Sequence, residues 1–151
     1  MDRDYDEIFR DAGVRLWRAL YAYSGGRRDV ADDALAEAFA RAMECDGQIR
    51  EPVPWLYRTA FRIAAKDLRQ AQKTEAIEDM TESEPSAEMS QVLAALRRLS
   101  PGQRAAVYLH YQAGMPVKEV SNVMGTSTGV VKVHLHRGRR RLRELLGEED
   151  L

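Results

Sequence analysis

The stretch PVKEVSNVMGTSTGVVKVHLHRGRRRLRELL, residues 116–146, decides the fold of the C-terminal part of this chain. Its pattern predicts a short helix, a tight turn at Gly125, and a longer helix that Ser127 caps. In the longer helix, small and apolar residues recur at three- and four-residue steps and predict a buried seam: Val131, Leu135, Gly138, Leu142 and Leu145 or Leu146. This layout is typical of a helix-turn-helix, whose second helix enters the DNA major groove.

The second helix of this motif is strongly basic. Between residues 132 and 143 it has six basic side chains and no acidic one: Lys132, Arg137, Arg139, Arg140, Arg141 and Arg143. A helix with one apolar face and one basic face suits a surface of phosphates. We therefore predict that this helix binds nucleic acid. A solvated basic face is the alternative that the charge run alone would favour.

Charge is unevenly distributed along the 151 residues, although the formal net charge is only −1. The net charge is −3 in residues 1–50, +3 in 51–73, −6 in 74–90 and +5 in 91–151. This alternation predicts several charged partners rather than one. Residues 74–90 have six acids, one proline and few large apolar side chains, so we predict a flexible linker there.

The remaining segments predict amphipathic helices. Before the linker we expect one helix over residues 5–23, a second that Asp29 caps, and a third that starts near Pro54 after a loop. After the linker we expect a helix over 90–99 and another that starts at Ser100-Pro101. No strand and no internal repeat is predicted. The predicted fold is all-α, with two small helical domains, residues 1–73 and 91–151, joined by the acidic linker.

Several function classes are disfavoured. No apolar run approaches the ~20 residues of a membrane-spanning helix, so we expect no membrane insertion. The single cysteine, Cys45, allows no internal disulfide and favours a reducing cytoplasm. His134 and His136 lie two apart on a helix and make a poor metal pair, and Asp32-Asp33 lacks a partner base. We expect no enzyme activity, no cofactor and no metal.

Residues 96–146 resemble the fourth conserved region of the extracytoplasmic-function group of bacterial sigma-70 factors. The matching pieces are LSPGQR (99–104), VKEVSNVMG (117–125) and STGVVKVHLHR (127–137). The group commonly has GTVKSRL in its recognition helix, where this chain has GVVKVHL (129–135). The interpretation assigns contact with the promoter −35 element to Ser127, Thr128, Val130, Lys132, Val133, His134, Arg137 and Arg141.

Residues 5–72 resemble the second region of the same group. DVADDALAEAFARAM (29–43) is similar to the helix that docks on the β′ clamp helices of core RNA polymerase, which implies docking through Asp32, Asp33, Glu37, Phe39 and Arg41. WLYR (55–58) resembles the start of the helix that meets the −10 element. Basic side chains recur there at helical spacing and predict a stripe that follows phosphates: Arg58, Arg62, Lys66, Arg69 and Lys73.

The resemblance implies an alternative sigma factor that recruits polymerase and separates promoter strands without a covalent step. Its implied partners are core RNA polymerase (β′ clamp helices and β flap), promoter DNA and an anti-sigma factor. Two alternatives stay open. One is a helix-turn-helix regulator that acts without polymerase, and the other is a decoy that binds polymerase or an anti-sigma factor. The linker would run near the polymerase cleft, either as a nucleic-acid mimic or as a solubilising spacer.

Overall fold

The computed structural model describes residues 4–74 and 87–147, and every regular element in these ranges is helical. The N-terminal half has three helices. Helix α1 covers residues 5–23, as α-helical Tyr5–Ile8 and Val14–Tyr23 with the π-helical segment Phe9–Gly13 between them. Helix α2 is Arg28–Glu44, a 3-10 turn spans Asp46–Gln48, and helix α3 is Pro52–Thr74. No helix in the described ranges is both long enough and apolar enough to cross a membrane.

The C-terminal half has four helices. Helix α4 is Ala87–Arg97, and helix α5 is Pro101–Val107 with a π-helical continuation over Tyr108–Gln112. Helix α6 is Val117–Met124, and helix α7 is Thr128–Leu146. The prediction of an all-helical fold is confirmed for the described residues. Residues 75–86 of the predicted linker lie outside them.

Three helix starts differ from the prediction. Asp29 is not the cap of α2, because the helix starts at Arg28 and Asp29 lies in its first turn, 3.0 Å from the Arg27 guanidinium. An acid there is favourable because the helix N-terminus carries partial positive charge. Helix α3 starts at Pro52 rather than near Pro54, since a first turn needs no amide hydrogen from proline. Helix α4 starts at Ala87, inside the predicted linker, and ends at Arg97 rather than residue 99.

The predicted turn around Gly125 is confirmed. Gly125 has a φ of 69° and ends α6, and the Ser127 hydroxyl accepts a hydrogen bond from the Val130 amide at 3.1 Å. Only glycine adopts this left-handed conformation without steric cost. Ser100 caps α5 in the same way, through a reciprocal pair of 3.2 Å hydrogen bonds with Gln103. Local sequence therefore determines where α5 and α7 begin and where α6 ends.

The two halves pack against each other. Helix α1 contacts α4 and α5, and helix α3 contacts α6, so buried residues of both halves form one continuous core. The side chain of Arg104 on α5 is 9% exposed. Its Nε donates to the Tyr23 carbonyl at 2.7 Å, and its Nη1 donates to the Leu99 carbonyl at 3.1 Å. Arg97 Nε donates to the Gly25 carbonyl at 2.6 Å, so two arginines of the C-terminal half hold the end of α1.

Helices α5 and α7 cross closely at Gly138. A Cβ atom at this position would lie 2.7 Å from Val107 Cγ2 and 3.6 Å from Gln103 Cβ. The first distance is far below van der Waals contact, and the branched Val107 side chain is buried, so one helix would have to shift. Glycine at 138 is therefore a packing requirement of the helix-turn-helix.

We expect Gly138→Ala to lower the free energy of unfolding by about 1–3 kcal/mol, because overpacking outweighs the higher helix propensity of alanine. Urea unfolding followed by circular dichroism measures the change. Gly129→Ala is the matched control on the same helix. A Cβ there would meet only Ser127 Oγ, at 3.8 Å, so stability should be unchanged or slightly higher. Equal losses in both variants would contradict the packing argument.

Candidate nucleic-acid interface

Helix α7 buries one side and exposes the other. Val131, Leu135, Gly138 and Leu142 are buried against α5 and α6, as the sequence predicts. The opposite side of the helix carries Val130, Val133 and Arg137, which are spaced i, i+3 and i+7 and so share one face. We call this side the outward face of α7. It makes no contact with the buried core.

Most of the residues predicted to contact the −35 element are exposed on α7 or at its cap. Six of the eight are exposed: Ser127, Thr128, Val130, Lys132, Val133 and Arg137. The other two, His134 and Arg141, are only half-buried and already have partners. Arg141 Nη1 donates to Glu144 Oε1 at 3.1 Å, one turn further along α7. The structure thus leaves six predicted residues accessible, with Val130, Val133 and Arg137 on the outward face and Lys132 on a flank of the helix.

His134 packs inside the C-terminal half rather than projecting from it. A Cβ added to Gly102, at the start of α5, would lie 2.7 Å from His134 Nε2 and Cε1. The imidazole therefore fills the space that the missing side chain of Gly102 leaves. The contact of His134 with the −35 element stays a prediction, for a half-buried ring that packs on α5.

Sequence reasoning missed two exposed residues of α7. Arg140 follows Arg137 by three positions and Val133 by seven, so the helical period places it on the outward face. His136 is also exposed, beside this face. Arg139, in contrast, lies over the Tyr111 ring at 6.0 Å and donates to its hydroxyl. Sequence reasoning grouped Arg139 and Arg140 in one basic run. It did not assign each arginine to a face of the helix, so it did not distinguish the exposed Arg140 from the engaged Arg139.

Helix α3 presents the predicted basic stripe. Arg62, Lys66 and Arg69 are exposed and Arg58 is half-buried, while the opposite side of α3 is part of the core. Their spacing of three to four residues puts all four on one face. Trp55 is half-buried against the core, and Phe61 is fully buried with its ring 5.0 Å from Tyr23. The side chain of Lys73 lies outside the described residues.

Helix α2 presents an acidic surface, with one correction to the predicted docking residues. Asp32, Asp33, Glu37 and Arg41 are exposed. The Asp32 carboxylate accepts a 2.7 Å hydrogen bond from Trp17 Nε1, and Glu37 pairs with Arg41 at 2.6 Å.

Phe39 is buried and is therefore removed from the candidate docking surface. Its ring makes edge-to-face contacts with Tyr5 and Phe9 of α1, at centroid distances of 6.4 and 5.2 Å. Phe39 thus joins α2 to α1 and has no surface left to offer a partner.

The acidic surface extends to α3 through Asp67. Burial raises the pKa of the Asp67 carboxyl, and the nearby charges of Asp33 and Glu37 raise it further. Burial also opposes ionisation of Asp29, but the hydrogen bond and positive charge of Arg27 outweigh it and lower the Asp29 pKa. Asp67 and Asp29 were not predicted as part of this surface. Across the described ranges, no group of three or more His, Cys, Asp and Glu side chains could hold a metal ion.

Comparison with known proteins identifies the family. Residues 89–142 match the family model "Sigma-70, region 4". RNA polymerase sigma factor CarQ of Myxococcus xanthus is 33% identical, and the match covers 96% of this chain and 97% of CarQ. The chain belongs to the RNA polymerase sigma factors. The ECF RNA polymerase sigma factor SigM of Mycobacterium tuberculosis is 32% identical, over 95% of this chain and 77% of SigM, which supports the extracytoplasmic-function group.

A solved structure has the same fold as this sigma factor. The sigma factor RpoE from Bartonella quintana, solved in complex with the anti-sigma factor NepR, matches with a TM-score of 0.75 and 21% identity. The match covers 96% of this chain and 98% of RpoE. Both halves of the sigma factor described above are therefore part of a known architecture.

We expect Asp67→Asn to raise the melting temperature near neutral pH, by on the order of 1 °C because the carboxylate is partly solvated. The pKa of Asp67 is higher in the folded chain than in the unfolded chain, so ionisation above that pKa penalises the folded state. The gain should therefore shrink as the pH falls through the folded-state pKa and vanish below the unfolded value.

Thermal unfolding at several pH values measures this dependence. Asp11→Asn, at an exposed carboxyl of α1, is the control for a change of one charge. A gain of Asp67→Asn that stays constant down to acidic pH would contradict the electrostatic explanation.

Proposed function

We propose that this sigma factor binds core RNA polymerase through the acidic surface of α2, engages the −10 region through α3, and reads −35 DNA through α7. The observation that carries the proposal is the presence of two separate basic surfaces, on α3 and α7, beside one acidic surface. Two basic surfaces suit a bipartite promoter, and an acidic surface suits a protein partner with the opposite charge.

The outward face of α7 has the chemistry of a major-groove reader. The Ser127 cap orients its first turn, where Thr128 and Val130 are exposed. Arg137 on this face and Lys132 on its flank supply positive charge for phosphates. Phosphate contacts give affinity and register, while side chains at the helix N-terminus meet base edges. In this role the buried seam of α7 packs against α5 and α6 and fixes the position of the helix.

The stripe on α3 has the chemistry of a strand-separating surface. Arg58, Arg62, Lys66 and Arg69 can follow the phosphates of one strand over about three helical turns. Unpaired bases need stacking partners, and Trp55 is the half-buried aromatic nearest the start of this stripe in the sequence. Extruding a base costs a few kcal/mol, least in A·T-rich DNA, so strand opening here would draw on binding energy without catalysis.

The acidic surface of α2 suggests the protein partners. Asp33 and Glu37 are exposed carboxylates on one side of α2, suited to the β′ clamp helices, and the C-terminal half would contact the β flap. We also propose an anti-sigma factor as a regulator, and the cytoplasm as the place of action. Residues 75–86 would connect the two promoter-binding halves on the polymerase.

Run-off transcription with core polymerase, purified protein and genomic fragments tests the proposal. We expect transcripts from defined starts, reduced at least tenfold by the double variant Arg62→Ala/Lys66→Ala. The change should lower open-complex formation more than binding of core polymerase, since α2 is untouched. Arg10→Ala/Arg18→Ala, on α1, removes the same charge as a control. Core binding without transcripts would favour a decoy, and DNA binding without core association would favour a separate regulator.

Salt dependence tests the phosphate contacts of α7. We expect Arg137→Ala to weaken binding across DNA sequences and to reduce the slope of log affinity against log salt by about one unit. Fluorescence anisotropy over a range of potassium chloride concentrations measures the slope. Glu144→Gln, further along the same helix, should not flatten it. An unchanged slope for Arg137→Ala would remove this residue from the interface.

A further inference from the structure

Two valines occupy the outward face of α7 among charged and polar residues. Val130 is 41% exposed and Val133 is 48% exposed, although large apolar side chains elsewhere on this helix are buried or half-buried. They lie three residues apart and share a face with Arg137. Neither belongs to the buried seam, which Val131 and Leu135 form on the other side. Their exposure therefore has no explanation in the stability of the fold.

Little in the described structure covers these valines in the first two turns of α7. Gly129, between Ser127 and Val130, has no side chain, and a Cβ there would meet only the Ser127 hydroxyl within 4 Å. The Ser127 hydroxyl is engaged with the Val130 amide, which fixes the backbone at this point. His134, one turn after Val130, is packed against Gly102 of α5. Any surface that meets the outward face of α7 closely must contact Val130 and Val133.

Among the base edges in the major groove, the methyl group of thymine is the apolar group that suits an apolar side chain. In the major groove, guanine, cytosine and adenine present hydrogen-bond donors and acceptors, whereas thymine also presents its C5 methyl group. A valine placed against a donor or acceptor removes water from it and gives no hydrogen bond in return, which is unfavourable. A valine placed against a methyl group buries apolar surface of both partners. The outward face is therefore complementary to thymine.

We propose that Val130 and Val133 read thymine methyl groups, so that the −35 element of this sigma factor has thymine at the two positions that these side chains face. The inference rests on the proposed function and adds the chemistry that α7 recognises. Residues at i and i+3 have Cβ atoms about 5–6 Å apart, and bases rise by about 3.4 Å per step. The two thymines should thus lie one or two base-pair steps apart, on either strand.

Deoxyuridine replacement tests the proposal, because uracil pairs like thymine and lacks only the methyl group. A duplex is first selected from a random pool with the full-length protein, alone and with core polymerase. Each thymine of the selected −35 site is then replaced in turn by deoxyuridine, and affinity is measured by fluorescence anisotropy. We expect about a fourfold loss at each of two positions, the equivalent of one buried methyl group, and no loss elsewhere.

Variants assign each effect to its side chain. Val133→Ala should bind the thymine and uracil duplexes equally at one of the two positions, and Val130→Ala should do so at the other. Arg137→Ala should weaken both duplexes by the same factor and so preserve their ratio. Val14→Ala, at an exposed valine of α1, should change neither the affinity nor the ratio. Both tested valines are exposed, so their replacement should leave thermal unfolding nearly unchanged.

Two outcomes would overturn the proposal, and they are distinguishable. If thymine and uracil duplexes bind alike, or if the alanine variants keep the discrimination, methyl reading by these valines is wrong while promoter binding stands. If no duplex is selected by the protein alone or with core polymerase, the proposed function fails as well. The proposal is supported if thymine binds better than uracil only at two positions, one or two base-pair steps apart. This preference should be lost at one position in Val130→Ala and at the other in Val133→Ala.

Discussion

The buried guanidinium of Arg104 is the interaction on which the arrangement of the two halves depends. It donates to the carbonyl of Tyr23 at the end of α1 and to that of Leu99 just before α5. The last carbonyls of a helix lack partners within the helix and carry partial negative charge, so a cation there meets both needs. Burial lowers the pKa of Arg104, but an arginine stays charged at any physiological pH, and the two hydrogen bonds offset its loss of water.

The position of α7 follows from this junction. Arg104 and Arg97 fix α5 and α4 against the end of α1, and the close crossing at Gly138 then sets α7 on α5. The distance between the stripe on α3 and the outward face of α7 is thereby defined. Changing that distance by moving the halves as rigid bodies would require breaking the Arg104–Tyr23 and Arg97–Gly25 hydrogen bonds. Such a movement would also expose the apolar residues that α1 and α3 bury against α4, α5 and α6, which adds to its cost.

Sequence reasoning succeeded where structure depends on neighbours within a few residues. The caps at Ser100 and Ser127, the turn at Gly125 and the seam of α7 were all predictable, because each is a matter of backbone conformation or helical period. Contacts between distant segments were not predictable. Phe39 has the right spacing for a docking helix, yet its ring packs on α1, and His134 is engaged because a glycine happens to lie opposite it. The junction through Arg104 had no signal in local sequence.

The overall charge of −1 conceals basic and acidic surfaces on different sides of the fold. Lys66 and Asp67 are consecutive, so the turn of about 100° per residue directs them to different sides of α3. Lys66 joins the basic stripe, while Asp67 lies near the acids of α2. Burial raises the pKa of Asp67, and the charges of Asp33 and Glu37 raise it further. Salt screens exposed charges beyond about 8 Å at physiological ionic strength, so each surface acts on its own partner. A nearly neutral chain can thus attract both phosphates and a basic protein surface.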